Sequence, residues 1–251
     1  MIDLETFETL GGHLNISAPA KGYRGGIDPY LLAACADGAG KILDMGTGMG
    51  TVILALATRL RKEGELESCQ FEGLDICPIN VKIASDNAKQ NELDINFFQA
   101  NILGYRELEQ NQYDEILINP PYFEDGHYYE DDETRKQLSN HEGQSGALLK
   151  DWIIAANYLL KAKGALTMIH RTDRLDDILS FLKEKKFGAI ELFPIWPRQN
   201  EASKLILLKA RKNRNTGLKL HQGLILHQDH GAKEYTDEAK EILYNCGSIC
   251  L

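Results

Sequence analysis

The stretch Lys41-Ile42-Leu43-Asp44-Met45-Gly46-Thr47-Gly48-Met49-Gly50-Thr51 decides the fold. A short apolar run ends in an acid, passes through three alternating glycines, and enters a segment rich in alanine and leucine that continues to Leu60. This order reads as strand, tight turn and helix. Glycines let a backbone approach a ligand closely, and the start of a helix offers N–H groups that lack intrahelical partners. The pattern, D-x-G-x-G-x-G, departs from the dinucleotide fingerprint G-x-G-x-x-G and contains no P-loop lysine, so both phosphate-binding readings lose ground. A carboxylate at Asp44 suits an amino group better than a pyrophosphate.

On either side of this stretch, apolar runs alternate with helical patterns from about Lys41 to Leu192, the pattern of βαβ units in an α/β fold with a mainly parallel sheet and helices on both faces. Ile42–Met45, Phe71–Leu74, Asp94–Gln99 and Glu115–Ile118 are predicted as four successive strands. Pro78 starts a helix that runs to about Gln90. Trp152, Ile153, Ala156, Leu159 and Leu160 recur at helical spacing, Gly164 opens a strand over Ala165–Ile169, and Leu175, Ile178, Leu179 and Leu182 form a further stripe. Beyond Phe187 the alternation changes. Ala189–Ile195 and Leu205–Ala210 read as an antiparallel hairpin at the C-terminal edge of the sheet, joined by a loop with Pro197, Arg198, Gln199 and Asn200. The expected organisation is one domain over 1–251. Residues 1–40 hold a hairpin (expected within Gly11–Gly26) and a helix from Pro29 through Ala36; 41–212 form the core, and 213–251 an extension with a final helix from about Thr236.

Three strand ends carry polar residues of interest. The second strand ends at Asp75, where an acid can accept both hydroxyls of a ribose, and Asn101 after the third can donate to and accept from an adenine edge. Singly, Asp75 reads equally well as a helix cap and Asn101 as a turn residue. In series they reinforce one another, because ligands of open parallel sheets bind beyond the carboxyl ends of the strands. The fourth strand ends in Asn119-Pro120-Pro121-Tyr122. An asparagine carbonyl beside the carbonyl of a proline gives two acceptors with no competing backbone N–H at either proline, which suits an NH2 group. The nearby aromatic ring can stack on the flat group bearing that nitrogen, worth on the order of 1 to 3 kcal/mol. Alone, the tetrapeptide reads as a strand stopped by a proline-rich turn.

Together these residues resemble the class I S-adenosylmethionine-dependent methyltransferases, and the N-P-P-Y form is typical of those acting on adenine or on a glutamine amide. Over nearly its whole length the chain resembles the tRNA (adenine-N6) methyltransferase family that modifies the adenosine 3′ of the anticodon in a valine tRNA. The resemblance rests on Gly22-Tyr23-Arg24 with Gly26-Ile27-Asp28, the Asp44 glycine loop, Asn119 to Phe123, Ile169-His170-Arg171, Pro197-Arg198, Leu226-His227 and Tyr235-Thr236. Gly25 stands where the family carries an aromatic residue, and Lys204 where it carries an arginine.

The resemblance implies a Rossmann-like fold and S-adenosylmethionine held at Asp44, Met45, Gly46, Thr47, Gly48, Gly50, Asp75, Ile76, Asn101 and Ile102. It implies catalysis at Asn119, Pro120, Pro121 and Tyr122, and substrate contacts at Phe123, Arg135, Arg198 and Lys204. The implied partner is tRNA or another structured RNA. Two alternatives stay open: methylation of a glutamine amide in a protein such as a release factor, and a noncatalytic S-adenosylmethionine-binding RNA module. Against the first stands the stretch of about 40 residues before the sheet, shorter than the helical substrate-recognition domain of those enzymes.

Composition bounds these readings. Hydrophobic residues at 43% and charged residues at 26% fit a soluble globular chain, with no membrane-length apolar run or signal peptide, so a cytoplasmic protein is expected. Five scattered cysteines without a C-x-x-C pair point to reduced thiols, and no metal site is expected. A net charge of −9 argues against indiscriminate coating of nucleic acid. The charge is segregated, however. Glu124, Asp125, Glu130, Asp131, Asp132 and Glu133 follow the proline motif, whereas Lys204, Lys209, Arg211, Lys212, Arg214 and Lys219 lie in an acid-free stretch that reads either as solvated surface or as a polyanion contact.

Overall fold

The computed structural model describes residues 3–20, 26–122, 146–228 and 234–251. Its centre is a sheet that begins with β3 (Gly40–Met45), β4 (Cys69–Asp75), β5 (Ile95–Gln99) and β6 (Tyr113–Ile118), continues with β7 (Leu160–Arg171), β8 (Phe187–Trp196) and β9 (Leu205–Lys212), and is completed by the two-residue strands β10 (Lys219–Leu220) and β11 (Leu224–Ile225). Across the sheet the order is β10-β8-β9-β7-β6-β3-β4-β5, with β11 also on β8. Strands β3 to β7 pair in parallel, and β9 runs antiparallel to both β7 and β8. The expected hairpin is therefore present, with its second strand inserted between β7 and β8. The tail strands β10 and β11 cover the outer side of β8.

Side-chain alternation along each strand divides the interior in two. Ile42, Leu117, Ile169 and Leu207 point to one face and pack under α1 (Asp28–Cys35), α2 (Thr51–Glu63) and the C-terminal helix α6 (Asp237–Asn245). Leu43, Ile116, Ile118, Met168 and Leu208 point to the other, under α4 (Leu149–Leu159) and α5 (Leu175–Glu184). Helix α2 starts after Gly50 (φ 86°) and ends at Gly64 (φ 81°), with Arg61 and Lys62 in its last turn, where cations suit the carbonyl end of the helix. Helix α3 (Pro78–Gln90) has Pro78 at its first position, and Thr236 caps α6 by accepting the Ala239 N–H at 3.2 Å.

Two elements begin well ahead of the sequence pattern, while β3, β4, β6 and β8 each begin two residues early. The N-terminal hairpin pairs β1 (Leu4–Thr9) with β2 (Leu14–Pro19), so its first strand lies ahead of Gly11. Strand β7 begins at Leu160, and Gly164 lies inside it, because the pairing with β6 shifts register between Tyr113–Leu160 and Glu115–Ala165. The hairpin is fastened to α3 by two buried asparagines acting as substitute strand partners. Asn87 Oδ1 accepts the Ser17 N–H at 2.9 Å, and its Nδ2 donates to the Ser17 and Met49 carbonyls at 3.1 and 3.0 Å. Asn91 does the same for Asn15, at 2.9 and 2.7 Å.

The basic stretch is largely consumed by the fold. Lys209 and Arg211 both pair with Asp37, Lys219 pairs with Glu191, and Lys212 donates to Asn111 Oδ1 and to the Asn157 and Leu160 carbonyls. No helix among the described residues is long and apolar enough to cross a membrane.

Candidate active site

The register of the sheet sets the site. Met45 pairs with Leu74 on one side and Ile118 on the other, and Asp75 pairs with Gln99, so the glycine loop, Asp75, Asn101 and Asn119 all leave the sheet at one level. Asn119 therefore follows the strand next to the one carrying Gly46, at a strand spacing of about 4.8 Å. The loop folds toward β4, with the Gly46 and Thr47 N–H groups donating to the Leu74 carbonyl at 2.9 and 2.8 Å.

The glycines of the loop serve different ends. A Cβ on Gly46 (φ 79°) would lie 2.5 Å from the Trp152 ring, so this glycine admits the aromatic of α4 beneath the loop. A Cβ on Gly48 (φ 54°) would meet nothing within 4 Å. Here the left-handed backbone borders open space, as a ligand-facing loop requires.

Asp44 is buried beneath the loop and accepts the Thr47 hydroxyl at 2.6 Å. Burial lifts its carboxyl to about 7, against the lowering effect of the Thr47 and Ile53 hydrogen bonds. Asp75 accepts the Gly48 N–H at 2.9 Å on one oxygen and the Cys77 N–H at 2.8 Å on the other. It thus ties the loop to the start of α3, and its carboxyl also titrates above the ordinary range, chiefly through burial. Asn101 uses its Oδ1 to accept the Leu103 N–H at 3.0 Å, capping the 3-10 turn Ile102–Glu107 and leaving its amide nitrogen as a donor. Met45 and Ile102 are buried in the apolar core, and Ile76 is half-buried, with its carbonyl accepting from Gln99 at 3.1 Å.

In the proline motif, Pro120 is buried, Asn119 and Tyr122 are half-buried and Pro121 is exposed. The Tyr122 hydroxyl donates to Asp28 Oδ2 at 2.7 Å and lies 3.3 Å from Asn119 Oδ1. Its ring meets the His170 ring edge-on, with centroids 5.1 Å apart. His170 is buried at the end of β7, its Nδ1 accepts the Arg171 N–H at 2.9 Å, and burial pushes its pKa down to about 4. The imidazole is therefore neutral, with its proton on Nε2. Of the pair His170-Arg171, the histidine joins the site and the arginine pairs with Asp173.

Of the remaining sequence-predicted contacts, Lys204 and Arg198 fall among the described residues. Lys204 is exposed just ahead of β9, its carbonyl accepting the Thr172 N–H at the end of β7. Arg198 lies farther out, donating to the Gln228 carbonyl at 2.5 Å and lining a cavity of about 280 Å³ with Trp196, Gln199 and Glu238. Phe123 and Arg135 lie outside the described residues. Asp28 and His170, both within segments that carry the family resemblance, meet Tyr122 from far away in sequence, a contact that no local pattern could reveal. Among the described residues no group of three His, Cys, Asp or Glu side chains could hold a metal ion.

A parallel sheet with one inserted antiparallel strand, a glycine loop after its central strand and a polar motif after the neighbouring one define a Rossmann-like ligand-binding α/β protein. The family model described as the methyltransferase small domain matches residues 29–192, and the chain belongs to that family. A tRNA1(Val) (adenine(37)-N6)-methyltransferase from Aeromonas hydrophila is 26% identical over 217 residues, 84% of this chain and 85% of the relative. A release factor glutamine methyltransferase from Haemophilus influenzae is 31% identical over 163 residues, 60% of this chain and 53% of the relative. The chain spans about half the length of the first curated relatives it matches. Among solved structures, a predicted O-methyltransferase from Agrobacterium tumefaciens shares the fold with a TM-score of 0.69 at 23% identity, covering 89% of this chain and 99% of that one.

Proposed function

We propose that this protein is an S-adenosylmethionine-dependent N6-adenine methyltransferase acting on RNA, with tRNA near the anticodon as its substrate. The observation that carries the reading is the adjacency of the Asn119 motif and the Gly46–Gly50 loop on neighbouring strand ends. The donor side fits a cationic adenosine derivative. Gly48 borders open space, and Asp44 and Asp75 are carboxyls whose proton affinity burial has raised, an environment complementary to positive charge. Asp44, the loop N–H groups, Asp75 and Asn101 would hold S-adenosylmethionine, which when bound supplies an electrophilic methyl group on a sulfonium.

The chain's own residues orient the amine. Asn119 Oδ1 and the Pro120 carbonyl accept the two N6 hydrogens, and neither proline offers a backbone N–H to compete. These acceptors draw the nitrogen lone pair out of the ring and bind the developing ammonium better than the neutral amine, which lowers the barrier selectively. Neutral His170 beside Tyr122 adds no positive charge to repel that ammonium. Tyr122 offers its ring to the base, and Phe123, Arg135, Arg198 and Lys204 are the proposed wider contacts. Cytoplasmic action follows from that substrate.

Glutamine-amide methylation is the second reading, favoured by the release-factor relative, since the same two acceptors hold a carboxamide NH2. Adenine is preferred because the similarity to the tRNA enzyme runs over 84% of this chain, against 60% for the other. Incubation with a labelled methyl donor, total tRNA and release-factor protein separates the two. N6-methyladenosine in tRNA supports the first reading, and label in protein glutamine overturns it. Asn119→Ala should abolish transfer with donor affinity nearly unchanged; retained turnover would remove that amide from the mechanism.

A further inference from the structure

Among the described residues the Tyr122 hydroxyl, with its single proton, has two acceptors within reach, Asp28 Oδ2 at 2.7 Å and Asn119 Oδ1 at 3.3 Å. The first distance is the usual one for an O–H···O bond, and the second lies beyond the ordinary range. A carboxylate also accepts more strongly than an amide carbonyl. The proton therefore sits on the Asp28 side. We propose that Asp28 is a positioning residue that holds the Tyr122 proton away from Asn119, keeping the Asn119 carbonyl oxygen open for the acceptor amine. The inference rests on the reading of Asn119 as the amine acceptor.

The surroundings support a fixed geometry. Asp28 is in the first turn of α1, followed by Pro29, and the helix is anchored by the fully buried Leu31 and Leu32. The Tyr122 ring is braced at its edge by His170, so rotation of the hydroxyl about its own bond is the softest motion left to it. Asp28 also has its carboxyl lifted by burial and lowered by the Tyr122 hydrogen bond, as expected of a carboxylate that depends on this donor. With Asp28 removed, the hydroxyl keeps Asn119 Oδ1 as an acceptor within 3.3 Å and competes there with the substrate NH2.

A double-mutant cycle tests this, using the full chain with labelled methyl donor and tRNA, and comparing Asp28→Ala, Tyr122→Phe and the pair. Asp28→Ala should lower kcat by on the order of tenfold to a hundredfold, approaching the loss of one preorganised polar contact. Donor affinity and the KM for RNA should stay within about twofold, the scatter of independent sites. In the Tyr122→Phe background no hydroxyl remains to block Asn119, so adding Asp28→Ala should change kcat by less than about twofold. Asp28→Asn keeps an acceptor oxygen and should restore most of the activity. An equal loss in both backgrounds would mean that Asp28 merely supports α1, and would overturn the proposal. Asp28→Ser, one atom shorter, runs the same cycle if the alanine variant fails to fold. Turnover by Asn119→Ala at the wild-type rate would instead overturn the acceptor reading itself, whatever the Asp28 cycle gives.

Discussion

Replacing Asp44 by asparagine should stabilise the protein at alkaline pH, by an amount that shrinks as the pH falls. Asp44 is 1% exposed, and its carboxyl titrates near 7 in the folded chain against an ordinary 3.8, with burial as the largest cause. A carboxyl whose folded pKa is raised gives its full stability below the unfolded pKa and loses it as pH rises through the folded pKa. From those two values the charge-bearing residue costs the fold about 2 kcal/mol at pH 5 and about 4 kcal/mol at pH 8. Asparagine has the same shape, keeps an oxygen for the Thr47 hydroxyl and never ionises. Any unmet hydrogen bond of its NH2 costs about 1 to 3 kcal/mol, but equally at every pH. The informative quantity is therefore the widening of the stability gap, roughly 2 to 3 kcal/mol between pH 5 and pH 8. Urea denaturation of both proteins at the two pH values measures it, and other titrating groups cancel in the difference. A gap that stays constant, or closes toward pH 8, would refute the reasoning. Such a stabilised variant should also lose donor affinity, because the residue that burdens the fold is the proposed partner of the donor's amino group.

Gly46→Ala drives a methyl into the Trp152 ring at positive φ and should cost about 2 to 3 kcal/mol, whereas Gly48→Ala meets only the backbone penalty of about 1 kcal/mol. Thermal melts should rank the two in that order, with Gly48→Ala the more harmful to donor binding relative to its effect on the fold. Asn87→Ala strands the Ser17 N–H and the Ser17 and Met49 carbonyls, and should cost about 3 kcal/mol while speeding amide exchange at Ser17. The ring signals of His170 should titrate near 4 by NMR, so the imidazole stays neutral through the working pH range.

The parts of the fold legible in the sequence were those where one local signal met one local need. Pro78 starts α3, Thr236 precedes α6, and runs ending in Met45, Asp75 and Ile118 mark three strand ends. The first strand of the N-terminal hairpin was not visible, because Leu4–Thr9 is mostly exposed and alternates no apolar face. The early start of β7 was hidden for another reason. Its register shift places Lys161, Ala162 and Lys163 on exposed positions, so the segment looks like a turn although the strand runs through it. Within the proposed site, Asp44 with its glycine loop, Asp75, Asn101 and Asn119 were readable as motifs at successive strand ends. Asp28 and His170 could be singled out only through the family resemblance, and Asn87 not at all, since their contacts to Tyr122 and Met49 are made only after folding.

The fate of the basic stretch bears on how RNA would be held. Lys209 and Arg211 neutralise Asp37, Lys212 satisfies carbonyls of the α4–β7 junction, and Lys219 meets Glu191, so four of the six charges already have protein partners. Arg211 also faces Ala165 near the start of the parallel strands, at the opposite end of the sheet from Asn119. Cations at that end cannot steer a phosphate to the proline motif. Among the described residues the rim retains Lys204 beside the end of β7, whereas Arg171 at the end of that strand pairs with Asp173 and Arg198 beyond β8 pairs with Glu201, on a chain whose net charge is −9. Because nonspecific affinity scales with the number of phosphates neutralised, the described part of the rim contributes little electrostatic adhesion, and the proposed function rests there on shape and on capture of an unstacked base. That balance suits the proposed substrate, an adenosine presented in a loop, where the base can leave its stack at less cost than in a duplex, and where the proposed acceptor Asn119 rather than a phosphate contact would decide which nitrogen is held.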